Sequence, residues 1–237
     1  NGMFITSFLK AYRVLGDAGL RDFALKSLDR VLRERFIGGA LYHTEGVPAV
    51  LDDHVYLIEA LVAAYEATGD GARLDRATAF MDRCLERFGD DEGGFFDTEE
   101  EVLGTRLKRI EDIPHPSANA TAALLLVKLY HLTGRESYRS QAERALRIFS
   151  IAVNEMSIHA GTYYCALDAW FSMLKLTVEA VPSSDLAAAA RRLTGPYTVV
   201  VYGEDKGRIL PCIGETCYAP VTNNEEIVRL ASRLASV

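Results

Sequence analysis

Three stretches of this chain repeat one another, and the repetition constrains the fold more than any other feature. YRVLGDAGLRDFALKSLDRVLRERF from Tyr12, YEATGDGARLDRATAFMDRCLERF from Tyr65 and YHLTGRESYRSQAERALRIFS from Tyr130 share one pattern: a tyrosine, three residues, a glycine, a polar turn and an amphipathic run. The copies are offset by 53 and 65 positions. That period exceeds tetratricopeptide and ankyrin units and suits the stacked helical hairpins of an α/α toroid. Within the copies apolar residues recur at helical spacing, as at Leu57, Ile58, Leu61, Val62 and Tyr65, and the glycine marks the end of each first helix.

The spacing predicts helices over 3–15, 19–35, 52–68, 72–88, 116–133, 136–150 and 162–176. Turns at 16–18, 69–71 and 134–135 are tight, whereas the connections 36–51, 89–115 and 151–161 are long. Every long connection leads into a more apolar, inner helix, so all of them gather at one end of the stack. Long loops on a rigid scaffold carry sites, and polar residues that open inner helices face the cavity near positive helix N-termini. Beyond about residue 180 the pattern changes: PYTVVVYGE and GRILPCIG read as strands, and VTNNEEIVRLASRL as a terminal helix capped by Thr222 or Asn223. The expected fold class is mainly α, a partial α/α toroid of stacked hairpins over 1–180 with a small α/β tail over 181–237.

The stretch DDEGGFFDTEE, Asp90 to Glu100, does not place oxygen ligands at the alternating positions of a calcium loop. Its surroundings repeat an earlier segment, since Leu41-Tyr42-His43-Thr44-Glu45 aligns with Phe95-Phe96-Asp97-Thr98-Glu99. The glycines and aromatics read as a turn sealing the helix ends, with His43 and Asp97 sharing one slot that can point into the cavity.

Candidate chemistry lies where inner helices begin. LDDHVY supplies Asp52, Asp53, His54 and Tyr56; IPHPSANAT supplies His115, Ser117 and Asn119; HAGTYYC supplies Tyr163 and Tyr164. Helix capping accounts for one of the paired aspartates and for Ser117 or Asn119 as an N-cap; a single carboxylate suffices for a cap, which leaves the second free. Cys212 and Cys217 supply only two of the ligands a zinc site needs, Cys84 and Cys165 fall at core positions, and four cysteines do not make a disulfide scaffold. No metal or cofactor is expected. A net charge of −7 argues against nucleic acid or an anionic membrane as partner, and the longest apolar runs fall short of a bilayer span. No signal peptide is read, so a cytoplasmic location is the default. Asn1-Gly2 running almost at once into an apolar helix reads as a chain cut inside a longer protein.

NGMF…RVLGD, LDDHVYLIEALVAAYEATGD, DDEGGFFDT, Pro116-Ser117-Ala118-Asn119 and ETCYAPVTNNEEI, in this order, resemble the C-terminal region of the YyaL-type, spermatogenesis-associated thioredoxin-domain proteins. The resemblance implies the later part of an (α/α)6 toroid similar to six-hairpin glycosidases and N-acylglucosamine 2-epimerases, preceded in the family by a thioredoxin-like domain. It picks out Asn1, Gly2, Asp52, Asp53, Gly93 to Phe96, Asp112, Pro116, Ser117 and Asn119. The sequence departs from the family at His54, usually an aromatic, and at Ala118, commonly glycine.

Together these readings give a catalytic set of Asp52, Asp53, His54, Asp112 and His115. The substrate-binding set is Asn1, His43, Phe96, Asp97, Ser117, Asn119 and Tyr163. A glycosidase-like site would pair two carboxylates, Asp52 or Asp53 with Asp97 or Asp112; an epimerase-like site would use the histidines. The competing expectation is a non-catalytic module that holds a ligand or positions a thioredoxin-like domain. Because the hairpins do not close a ring, the flank of the first or last helix is expected to be covered by a second chain or a second copy.

Overall fold

The computed structural model describes residues 1–102, 104–193, 197–214 and 216–234. The repeated tyrosine and glycine have a direct physical meaning. Helices α1 (Gly2–Leu15), α3 (Leu51–Thr68) and α5 (Ala118–Thr133) each end on the glycine, at Gly16, Gly69 and Gly134. These glycines adopt φ of 75°, 74° and 73° and donate their N–H to the carbonyls of Tyr12, Tyr65 and Tyr130 at 2.8, 2.7 and 2.7 Å. A left-handed residue closes a helix in this way, and glycine takes that conformation without steric cost.

The next residues start the return helices α2 (Ala18–Arg35), α4 (Gly71–Arg87) and α6 (Glu136–Phe149). Asp17 and Asp70 cap the first two by accepting from the N–H groups of Gly19 and Ala72, a stabilisation of about 1 kcal/mol each. α3 packs against α1, α4 and α5, and α5 against α6 and α7 (Gly161–Ser172). The inner row is therefore α1, α3, α5 and α7, with α2, α4 and α6 outside. Leu9, Ile58, Leu61, Met81, Leu125 and Leu129 lie at the centre of the core.

Three segments differ from expectation. The connection 36–51 holds a small antiparallel sheet of β1 (Phe36–Ile37), β2 (Ala40–Thr44) and β3 (Val47–Pro48). The pairing of Phe36 with Leu41 recurs in the next repeat as a bridge between Gly89 and Phe95, so the chain folds back at the same point in both. The helix expected over 162–176 stops at Ser172, and Leu174 opens strand β4 (Leu174–Glu179). Leu174, Leu176 and Val178 point into a core while Lys175 and Thr177 are only partly covered; this alternation is hidden in an apolar run that periodicity alone does not resolve. Finally, SSDLAAAARR forms α8 (Asp185–Arg192), capped by Ser184 at 3.2 Å from the N–H of Ala187.

β4 is central to a sheet of order β5-β4-β6-β7. It runs parallel to β5 (Thr198–Tyr202) and antiparallel to β6 (Arg208–Ile213), which pairs with β7 (Thr216–Cys217). Both expected strands are present; Pro196 of the first and Glu215 of the ETCYAP stretch lie outside the described residues. α8 and α9 (Asn224–Leu234) belong with this sheet. Cys212 and Cys217 stand opposite each other on β6 and β7 and form a disulfide, which answers the zinc alternative. Among the described residues no helix is long and apolar enough to cross a membrane. Apolar side chains remain uncovered on the terminal inner helices: Phe4 is 73% exposed, Leu15 70% and Phe171 72%.

The tail is tied to the stack through one buried carboxylate. Glu66 accepts from Arg13 Nη1 at 3.1 Å and from the Val200 N–H at 3.2 Å, and Arg13 Nε donates to the Arg191 carbonyl at 3.1 Å. Removing one partner of a buried pair leaves the other charge unpaired. Glu66→Ala should therefore cost about 3–5 kcal/mol in urea unfolding; a loss below about 1 kcal/mol, the range of exposed ion pairs, would contradict this assignment.

Candidate functional site

The crossover from α4 to α5 carries little regular structure, so side chains must satisfy its backbone. Asn119, 1% exposed on α5, supplies the main tie. Its Oδ1 accepts from the Phe95 N–H at 2.7 Å, and its Nδ2 donates to the carbonyls of Phe95 and Arg109 at 2.8 and 2.9 Å. Gly94 is needed beside it: φ is +72°, and a β-carbon there would meet the Phe149 ring at 2.9 Å. Asp97 accepts from the Arg109 N–H at 3.2 Å and from Arg109 Nε at 2.6 Å, and its carbonyl receives the Leu51 N–H that opens α3. Asp112 accepts from the N–H groups of Ser117 and Thr162 at 2.7 and 2.8 Å, joining the starts of α5 and α7. Ser117 Oγ accepts from the Ala120 N–H at 3.3 Å as the N-cap of α5.

This framework presents two acid–imidazole pairs at the start of α3. His43 Nδ1 lies 2.8 Å from Asp53 Oδ1, while Asp53 Oδ2 accepts from the Val50 N–H at 3.0 Å. On the other side His115 Nε2 lies 3.7 Å from Asp52 Oδ1. That gap is too long for a hydrogen bond, so polar atoms of both groups are left for a ligand. Tyr56 orients the imidazole: its hydroxyl donates to the Pro116 carbonyl and lies 2.9 Å from His115 Nδ1. With the tyrosine proton on Pro116, Nδ1 carries the ring proton in neutral His115, and Nε2 is left as the acceptor facing Asp52; this tautomer follows from the bonding pattern. Burial pushes the Asp52 carboxyl above the ordinary carboxylate range; His115 opposes the shift, and Asp97 and Asp53 add to it. Burial likewise raises the Tyr56 phenol, so it stays a neutral donor.

The pairs His43–Asp53 and His115–Asp52 therefore both lie at the start of α3, at the long-loop end, with Asp97, Asp112, Ser117 and Asn119 supplying backbone ties nearby. His54 is not with them. It is 3% exposed, donates from Nδ1 to the Val50 carbonyl at 3.1 Å and packs edge-on against Phe88; burial lowers its pKa. Tyr163 lies in a separate core cluster, its hydroxyl on the Leu146 carbonyl at 2.8 Å. Phe96 carries the Arg106 guanidinium at 4.1 Å from its ring centre. Asn1 precedes α1 without a side-chain cap bond, while Gly2 abuts Tyr56 so closely that a β-carbon would lie 2.6 Å from its carbonyl oxygen. Arg109 was not singled out from sequence; the signal was a run of cations, RLKR, inside an acidic crossover.

Asn119→Leu keeps the side chain's bulk but strands the N–H and carbonyl of Phe95, while the Arg109 carbonyl keeps only the Ser117 hydroxyl at 3.4 Å. Each buried unpaired group costs about 1–3 kcal/mol, so the variant should lose at least about 2 kcal/mol by thermal or denaturant unfolding; a loss under about 1 kcal/mol would contradict the assignment.

No family model matches the chain. An uncharacterized protein of Caenorhabditis elegans is 27% identical over 269 residues, covering 98% of this chain and 37% of that protein. Human spermatogenesis-associated protein 20 is 23% identical over 275 residues, covering 97% of this chain and 35% of that protein. The rat protein of the same name is 28% identical over 197 residues, or 75% of this chain and 25% of that protein. The chain thus spans about a third of the length of the first two of these relatives, and it is similar along nearly all of its own length to the human spermatogenesis-associated protein 20.

Proposed function

We propose that the long-loop end binds a small polyhydroxylated ligand of the sugar class and moves a proton on it, as an N-acylglucosamine 2-epimerase does. The observation that carries this reading is the Asp52–His115 pair, held 3.7 Å apart and backed by Tyr56. His115 Nε2 takes a proton from the carbon next to the sugar carbonyl, and the Asp52 carboxyl, which burial shifts toward its protonated form, supplies one. No net oxidation occurs, and catalysis of this type contributes about 10²–10⁴-fold per group. The glycosidase-like alternative is less well supported, because it needs a second free carboxylate and both oxygens of Asp97 and Asp112 already accept backbone or arginine hydrogens. Asp53 binds His43 at 2.8 Å.

Incubating the protein with N-acylated and unmodified reducing sugars in D₂O tests this reading by NMR. Deuterium should enter at the carbon beside the carbonyl, and His115→Gln and Asp52→Asn should each slow the exchange by about 10²-fold or more. Absence of exchange across the panel would contradict it. Sugar binding without exchange would favour a second reading, a non-catalytic module, for which the open exposure of His43, 61% by side chain, speaks. On either reading the longer relatives suggest that a further domain, thioredoxin-like by the resemblance noted above, is positioned by this stack.

The uncovered flank bearing Phe4 and Phe23 fits coverage by a second chain, since exposed apolar patches mark contacts. Sedimentation velocity should then find self-association weakened by Phe4→Glu; a monomer at all concentrations would contradict coverage by a second copy.

A further inference from the structure

A separate cavity of about 360 Å³ lies among α1, α3 and α5, deeper along the inner helices than the acid–imidazole pairs. Its polar lining is unusual in one respect. Thr6 Oγ1, Thr121 Oγ1 and Arg13 Nη2 are buried and make no hydrogen bond among the described residues, the three residues being only 2%, 5% and 8% exposed. A buried hydroxyl or guanidinium hydrogen without a partner costs about 1–3 kcal/mol. Several other helical hydroxyls avoid that cost by turning back onto the preceding turn. Thr68 donates to the Ala64 carbonyl at 2.7 Å, Thr133 to Leu129 at 2.6 Å and Ser7 to Met3 at 2.9 Å. Thr6 and Thr121 do not do this, and both line the cavity.

The charge around the space has a definite sign. The two carboxylates that line it are already engaged: Glu66 by Arg13 and the Val200 N–H, and Glu59 by Lys10 at 3.0 Å. Lys128 is different. It forms no ion pair among the described residues, and it sits with Arg13, Lys10 and the two glutamates in its field. Its side chain is only partly shielded from solvent by area yet densely surrounded by protein atoms; this desolvation presses the ammonium toward its neutral form, and a bound anion would relieve it. The residues that carry these donors and one uncompensated cation therefore line a space whose remaining walls, among them Val62, Leu124 and Leu125, are apolar. A dianion would exceed the single spare charge, and a neutral apolar molecule would leave the donors unmet.

From this arrangement we infer that the α1–α3–α5 cavity is a binding site for a small organic monocarboxylate with an apolar body. The carboxylate is held by Arg13 Nη2, Lys128 and the hydroxyls of Thr6 and Thr121, and the apolar body lies along Val62 and Leu124.

Octanoate is the probe, titrated by calorimetry and by amide NMR into the full 237-residue chain, with octan-1-ol and acetate as controls for tail and charge alone. Octanoate should bind with shifts at Thr6, Thr121 and Lys128, and each control should bind about tenfold or more weakly. Lys128→Met, which keeps the length of the stem, should weaken octanoate about tenfold, and the isosteric Thr121→Val about fivefold. Circular dichroism and unfolding midpoints confirm that both variants fold, and Thr121→Val serves as the test if Lys128→Met does not. Three results would overturn the inference: no heat or shift at millimolar octanoate, as for a cavity that holds water alone; octanol binding as tightly as octanoate; or an unchanged affinity in a folded variant.

Discussion

The site at the long-loop end depends on the hydrogen bonds between the Asn119 side chain and the backbone of Phe95 and Arg109. A crossover between two helices that lacks a ladder of its own would otherwise leave peptide groups unpaired against an apolar core. Asn119 acts as a short piece of strand, both accepting from and donating to one residue. Asp97 and Asp112 extend the same device, the first to the start of α3 and the second to the starts of α5 and α7. Because these ties converge on helix N-termini, the loop and the helices it connects are fixed together. Asp52 and His115 keep their 3.7 Å separation as a consequence of that framework, not through a bond of their own.

Carboxylates at one end of the fold thus divide into two kinds. Those with both oxygens occupied by backbone or guanidinium hydrogens are structural, and Asp97 and Asp112 belong there. Asp52 is short of donors, and burial holds its carboxyl above the ordinary range. A group kept in that condition stabilises the fold less than a satisfied one would, and strain of this kind gathers where a protein meets a ligand. The cavity among the inner helices follows the same logic with the opposite sign, unmet donors beside a spare cation.

Much of the fold was legible in the sequence because its signals are local. A glycine four residues after each tyrosine marks the end of each inner helix, whereas the caps at Asp17 and Asp70 emerge only in the structure. The start of β4 was not legible, since WFSMLKLTV is apolar under either period and only pairing with β5 and β6 decides it. The site was legible in part. Asp52, Asp53, His43 and His115 could be gathered from loop polarity alone, whereas the inward turn of His54 against Phe88 depends on which face of α3 meets α4. Sequence also could not separate the tied aspartates from the free one, because the partners Ser117, Thr162 and Arg109 act largely through backbone groups that no side-chain pattern encodes.

Hydrogen exchange of individual amides in the native protein tests this framework most directly. Phe95, Arg109, Ser117 and Thr162 donate their N–H groups to side chains of Asn119, Asp97 and Asp112. If those side chains fix the crossover, these four amides are protected to the level of the α5 core, with opening free energies near the global value. Exchange at the rate of an unstructured peptide while α5 stays protected would mean that the crossover is loose and that the acid–imidazole pair has no fixed geometry.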